Sequence, residues 1–394
     1  MSGVLTLAWR YMLYHRTRSL ILMSCIFLTM VLPICLGIVL QTFSQQIAAR
    51  SEATPVVIGS KGSKLDLSLH AIYFSQAPES KLTFSEVSIL RESGLAAAIP
   101  LHAKFTAQGY PVVGTSLSYF PFRNLELRSG ETLAVLGDCV LGAAVAEELK
   151  LMVGDQILTD RGSVLDLAGE YPLKLNIAGV LKRNHSADDH AVFVDLKSAW
   201  VIEGLGHGHQ ELDDPETQAE VIGQDGNRIV ASAAVLPYTE ITSDNMASFH
   251  FHGDQGDFPI TALIVDAPDE KSRTILEGRY RSSPDAQLVR PPKEIRKLMS
   301  LVFQVKRFFD ANAIVVALAT AALLGLVVML SLKLRAREME TMFRLGCSKG
   351  TMLWIQLAEL GFVFLAASAL VLLAVFFVWL NADEIVQQWV GSNA

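Results

Sequence analysis

Residues 19–49 read SLILMSCIFLTMVLPICLGIVLQTFSQQIAA, a stretch without a single Asp, Glu, Lys or Arg. About 20 apolar residues cross a bilayer as a helix, so this run is long enough to span one. It is also too long for the h-region of a cleaved signal, which holds roughly 7–15 residues. No small-residue cleavage site interrupts it around Cys25, Pro33 and Cys35, and it reads as an uncleaved anchor. Two further uncharged runs lie at 311–332 and 360–382. Composition agrees: of 394 residues, 51% are hydrophobic and 19% charged, with a mean hydropathy of +0.35. Soluble domains carry charge on about a quarter of their residues. A purely soluble or disordered chain is excluded. So is a bundle made only of membrane helices, because a long polar insert separates the first two runs.

Basic residues next to the spans orient them. Arg10, Arg16 and Arg18 precede the first run with no acid among them. Lys333, Arg335, Arg337, Arg344 and Lys349 lie between the second and third runs, against Glu338 and Glu340. Only Asp383 and Glu384 follow the third. Both basic segments belong in the cytoplasm, which puts the insert and the C-terminal tail outside. From Arg50 to Asp310 there are 25 basic and 35 acidic residues, an acidic surface with no attraction for nucleic acid. Lys306 and Arg307 fit the rule poorly, and Asp310 lies close enough to offset them. Of four cysteines only Cys139 is in the insert, so hydrophobic packing and not a disulfide framework must hold it together.

The insert mixes strand and helix signals. Strands are expected at 56–58, 132–136, 173–181, 191–196, 261–265 and 286–289, a helix over 140–149, and a turn entering a strand at 153–157. Residues 204–226, rich in Gly, His, Asp and Glu, read as a loop. This pattern predicts an α+β domain built on a mixed sheet. Pro291-Pro292 marks its end. From Lys293, the residues Ile295, Leu298, Met299, Val302, Val305 and Phe309 recur at helical spacing, and no breaker separates them from the second run. One helix over 293–332, stalk and span together, is expected.

The segment between the second and third spans carries the functional signal. Helix formers run from Arg335 to Leu345, and Gly346 is placed to end the helix in a left-handed cap. Met339, Met342, Phe343 and Leu345 give an otherwise charged helix an apolar face. A loop that merely reverses direction needs no such face; a helix that docks into a groove on a soluble partner does. The pattern Arg335-x-Arg337-Glu338-Met339-Glu340-Thr341-Met342-Phe343-Arg344-Leu345-Gly346-Cys347-Ser348-Lys349, with Glu359 beyond it, resembles the signature of MacB/FtsX-type ABC transporter permeases. Residues 56–67, 136–155, 175–181 and 188–194 are similar to other elements of that family in the same order. The resemblance implies that this helix couples to a nucleotide-binding ATPase. It assigns the coupling role to Arg335, Arg337, Glu338, Met339, Met342, Phe343, Arg344, Leu345, Gly346 and Glu359. Members usually have four spans with both ends inside; this chain supplies three.

The chain has no G-x-x-x-x-G-K-[ST], so the ATPase is expected on a separate polypeptide. No H-E-x-x-H occurs, and no enzymatic activity or cofactor is expected. Two H-x-H pairs, His207 with His209 and His250 with His252, are weak candidates for a metal site; the expectation is solvated surface, since nothing in the sequence brings the pairs together. Glu359, a carboxylate at the inner end of a span, is a costly placement that often marks function.

The expected organisation is therefore a cytoplasmic interfacial helix (1–18), a first span (19–42), an extracytoplasmic MacB-like domain (43–292), the stalk and second span (293–332), a cytoplasmic coupling helix (333–351), a third span (352–382) and an outer tail (383–394). The function implied is a permease subunit in the inner membrane. It would work with two copies of a separate ATPase, a second permease copy or paralogue, membrane lipid, and a periplasmic adaptor or lipoprotein. The cargo classes expected are lipid-linked molecules, lipoproteins, peptides and hydrophobic compounds. An FtsX-like subunit activating a cell-wall hydrolase, and a membrane-anchored metal sensor, are the competing readings.

Overall fold

The computed structural model of the chain describes residues 2–75, 79, 81–160, 172–208, 221–225, 228–231, 239–334 and 336–391. They form two compact units: Met1–Gln45 with Leu298–Val386, and Gln46–Lys297 with Gln387–Ala394. The chain starts with helices α1 (Ser2–Tyr14) and α2 (Arg16–Glu52). The expected first span lies inside α2, which tolerates Pro33 and runs on to Glu52. It stops just ahead of Thr54-Pro55, since the residue before a proline is pushed out of the helical region.

The second unit is built on a ten-stranded mixed sheet. In chain order its elements are β1 (Val56–Ser60), α3 (Lys64–Tyr73), α4 (Ser85–Ser93), β2 (Ala97–Ala107), β3 (Tyr110–Thr115), α5 (Tyr119–Phe122), β4 (Leu127–Gly130), β5 (Asp138–Leu141), α6 (Ala143–Leu149), β6 (Gln156–Leu158), β7 (Lys174–Leu181), β8 (Val192–Asp195), α7 (Leu196–Ile202), β9 (Gly206–His207), β10 (Val221–Asp225), β11 (Arg228–Ala231), β12 (His250–Phe251), β13 (Ala262–Asp266), α8 (Glu270–Arg281) and β14 (Ala286–Val289). The sheet order is β14-β1-β13-β2-β3-β8-β5-β7-β4, with β6 beside β7. The β3–β8 and β5–β7 pairs are parallel and the others antiparallel. β10 with β11 and β9 with β12 form separate two-stranded pairs.

Apolar side chains cover both faces of this sheet. On β8, Phe193 joins a cluster with Tyr119, Leu101 and Ile264, while Val192 and Val194 join another with Leu141, Leu175 and Ile177. On β13, Ile264 faces the first cluster; Leu263 and Val265 face a third, around Trp200 and Ile58. Successive strand residues point to opposite faces, so central strands buried on both sides read as unbroken apolar runs.

Several expectations change. The strand expected at 132–136 is irregular, and the helix expected over 140–149 forms as α6 from Ala143, its first residues belonging instead to β5. Gly142 makes the corner between them. The loop expected over 204–226 includes β9 and β10. β2 and β3 were not among the expected strands, although Leu101, Ala103, Phe105 and Ala107 of β2 alternate with polar residues.

Helices α9 (Pro291–Leu334), α10 (Ala336–Arg344) and α11 (Lys349–Gly391) complete the chain. Pro291-Pro292, expected as a boundary, occupies the first turn of α9, where a missing N–H breaks no hydrogen bond. Stalk and second span are one helix, as expected. α11 continues beyond the expected end of the third span, because no breaker lies between Leu380 and Val390. α2, α9 and α11 are the three described helices long and apolar enough to cross a membrane.

Candidate functional site

The segment between the second and third long apolar helices, where the sequence placed the coupling helix as an expectation, folds as its residues dictate. Arg344 pairs with Glu340 one turn earlier at 2.6 Å, a spacing that supports a short helix. Gly346 adopts φ +96°. The Gly346 N–H donates to the Phe343 carbonyl and the Cys347 N–H to that of Met342, both at 3.0 Å. This pair of bonds closes α10 as a Schellman motif, with glycine at the one position that requires positive φ. Two residues on, the Ser348 hydroxyl accepts from the Thr351 N–H at 3.2 Å and caps α11. The turn is therefore fixed by a stop and a start signal. Phe343 and Leu345 are 52% and 81% exposed. Arg337 is also exposed, and its carbonyl accepts from the Thr341 hydroxyl. Arg335 lies outside the described residues, as do the side chains of Glu338 and Met339.

Glu359 is not on α10. It lies on α11, 6% exposed, with a carboxylate oxygen 3.7 Å from an Arg18 guanidinium nitrogen on α2. A carboxylate in a helix bundle is retained only with such a partner. Glu359 thus sits in an ion pair between α2 and α11, apart in sequence from the exposed residues of α10.

In the second unit the dominant polar feature was not legible in advance. Asp188 is buried and accepts two bonds from the Arg50 guanidinium, at 2.7 and 2.9 Å, one from the Tyr119 hydroxyl at 2.7 Å and one from Ser186 at 3.0 Å. Burial alone would raise its pKa. The Arg50 charge and hydrogen bonds, with Arg123 and Tyr119, outweigh that and hold the carboxyl below its ordinary range. Arg123 is different. It is 8% exposed, its three guanidinium nitrogens make no hydrogen bond, and it lies over the rings of Phe122 and Tyr119 at 5.1 and 5.6 Å. Burial lowers its pKa. Both arginines line a cavity of about 300 Å³ with Asn184, His185, Ser186 and His190. One buried carboxylate thus faces two guanidinium groups, and the cavity wall keeps an excess of positive charge.

Three of the four candidate histidines, His207, His250 and His252, come together at the surface, a meeting the sequence alone left open. β9 and β12 pair with His207 directly opposite His250. The Nε2 atoms of His207 and His252 are 3.4 Å apart. His209 lies outside the described residues.

The family described as "MacB-like periplasmic core domain" matches residues 19–235. No curated protein matches the chain. Among solved structures, the chain is similar to the periplasmic region of MacB from Actinobacillus actinomycetemcomitans, at 10% identity and TM-score 0.35, covering 62% of this chain and 92% of that one. It is also similar to the extracellular domain of the noncanonic ABC-type transporter YknZ from Gram-positive bacteria, at 12% identity and TM-score 0.32, covering 59% and 98%.

Proposed function

We propose, for a chain that belongs to the family of MacB-like periplasmic core domains, that ATP hydrolysis by a separate ABC ATPase drives movement of its external domain. It is a membrane protein with an extracytoplasmic domain, an ABC-transporter-type permease or signalling subunit. The finer reading is export or extraction of lipid-linked, lipoprotein, peptide or hydrophobic cargo at the inner membrane. Residues 1–18 and 333–351 would lie inside, and 43–292 and 383–394 outside. Two copies would pair, each over one ATPase, with lipid around the spans and a periplasmic adaptor or lipoprotein beyond.

The observation that carries this reading is α10, an amphipathic helix with a defined stop that leaves Phe343 and Leu345 exposed. Closure of the ATPases would displace it. α9 is suited to relay that displacement, because it runs from Pro291 to Leu334 without an interior proline. No step of chemistry is assigned to this chain. The cationic cavity beside Arg50 and Arg123 suits the anionic end of an amphiphilic cargo.

The test is copurification of an ABC ATPase with the detergent-solubilised full chain, and its turnover. Met342→Asp and Leu345→Asp each place a charge on the docking face. Loss of an interface anchor costs more than about 2 kcal/mol, roughly thirtyfold in affinity. Both variants should release or uncouple the ATPase. Retention of a bound, normally stimulated ATPase by both would reduce the segment to a topological loop.

A further inference from the structure

His250 lies on β12 opposite His207 of β9, and His252 follows directly after the strand, with its Nε2 3.4 Å from that of His207. The opposite face of this small ladder is apolar. Phe251 packs into the cluster around Trp200 and Phe258, and Phe249 into the one around Leu141 and Ile177. The glycines flanking His207 make room for those rings: a Cβ on Gly206 would lie 2.6 Å from Phe251 Cδ1, and one on Gly208 2.7 Å from Phe249 Cδ2. A register slip of one residue would drive imidazoles into the core and phenyl rings into water, so the packing locks the three histidines on the solvent side.

One ring nitrogen from each of His207, His250 and His252 lies within 4.8 Å of the other two. In tetrahedral zinc sites the metal–nitrogen bonds are about 2.0–2.1 Å, which sets neighbouring nitrogens ~3.4 Å apart. The His207–His252 Nε2 separation, 3.4 Å, already has that value. The His250 Nδ1–H donates to the Ser248 carbonyl at 2.9 Å. That bond selects the tautomer whose Nε2 carries the lone pair, the outer-shell arrangement typical of metal-ligating histidine. His250 is exposed and has room to close the remaining distance.

We propose that His207, His250 and His252 bind a divalent transition-metal cation, zinc being the tetrahedral case. Three imidazoles select borderline cations over magnesium or calcium. Three protein ligands leave a fourth position open, for water or for a ligand brought by another molecule. With two of the three rings exposed, the site is an exchangeable one at the surface of the external domain, and it does not depend on the coupling role of α10.

The experiment uses the untagged full chain in detergent, titrated with Co²⁺ and followed by its visible ligand-field absorbance, then back-titrated with Zn²⁺. One equivalent of tetrahedral Co²⁺, displaced by Zn²⁺, is expected. His207→Gln and His252→Gln should each weaken binding at least tenfold, and His185→Gln should leave it unchanged. In the wild-type chain, one equivalent of Zn²⁺ should protect His207, His250 and His252 from diethyl pyrocarbonate while His185 stays modified. Unaltered stoichiometry and affinity in the His207→Gln, His250→Gln, His252→Gln triple variant would overturn the proposal. So would equal modification of the three histidines with and without Zn²⁺, whatever the folding of the variants.

Discussion

Arg50 and Arg123 stand side by side, yet their removal should have opposite consequences. Arg50→Met strips Asp188 of the cation that holds it ionised. Breaking a buried pair from one side costs about 3–5 kcal/mol, and the thermal midpoint of the external domain should fall accordingly. Arg123→Met removes a buried cation that makes no hydrogen bond and substitutes an apolar side chain of similar length. The midpoint should hold or rise, while cargo-stimulated ATP turnover falls. An equal loss of stability in both variants would show that Arg123 is structural. His70 gives a pH signature. It is buried, with Nδ1 donating to the Ser75 carbonyl at 2.6 Å and Nε2 2.7 Å from the Thr261 hydroxyl. Burial pushes its pKa down to about 4. The unfolded chain protonates this ring near pH 6.5, so between pH 6.5 and 4 the unfolded state binds the extra proton. Stability contributed by neutral His70 is complete above pH 6.5 and is lost as pH falls to 4, by about 3 kcal/mol. Midpoints measured across that window should flatten in His70→Gln relative to wild type; an unchanged slope would contradict the assignment.

At the scale of elements, α10 depends on the glycine that stops it. Gly346 has φ +96°, a conformation in which a β-branched side chain is strained. Gly346→Val should fray the Schellman turn and weaken ATPase binding, whereas Gly346→Asn, which tolerates positive φ, should retain most of it. Binding that ranks the two variants the other way would remove the cap from the account. This element was legible because its signals are local: helix formers, an apolar spacing and a glycine stop within a dozen residues. The same holds for β7, β13 and β14, and for α9, whose apolar periodicity runs unbroken. β2 was legible and overlooked, since Leu101, Ala103, Phe105 and Ala107 alternate with His102, Lys104 and Thr106; β3 was not, because it is a short run around Val112 and Val113 without alternation. The segment 132–136 misled for the converse reason, its apolar residues packing without a ladder partner. The histidine site was half legible. Each H-x-H spacing is visible, but their meeting depends on β9 pairing with β12 across more than forty residues, and only tertiary packing sets that register. The Asp188 network has no motif at all, since Arg50, Tyr119 and Asp188 come from three distant segments.

For the whole molecule, the charge bias predicts three crossings with the N-terminus inside and the C-terminus outside. A single cysteine introduced as Asn393→Cys, in a chain lacking its native cysteines, should react with an impermeant reagent in intact spheroplasts. Reaction only after lysis would contradict that topology. The central claim is that ATP turnover inside moves the domain outside. Met152 is 69% exposed on the external domain, and Met152→Cys in the same background offers one spin-label site per copy. The deciding measurement is the label-to-label distance distribution of the reconstituted dimer with its ATPase, nucleotide-free and trapped with ATP and vanadate. The account predicts a shift on trapping that Leu345→Asp abolishes. Identical distributions in the two states, with the ATPase bound and turning over, would contradict it.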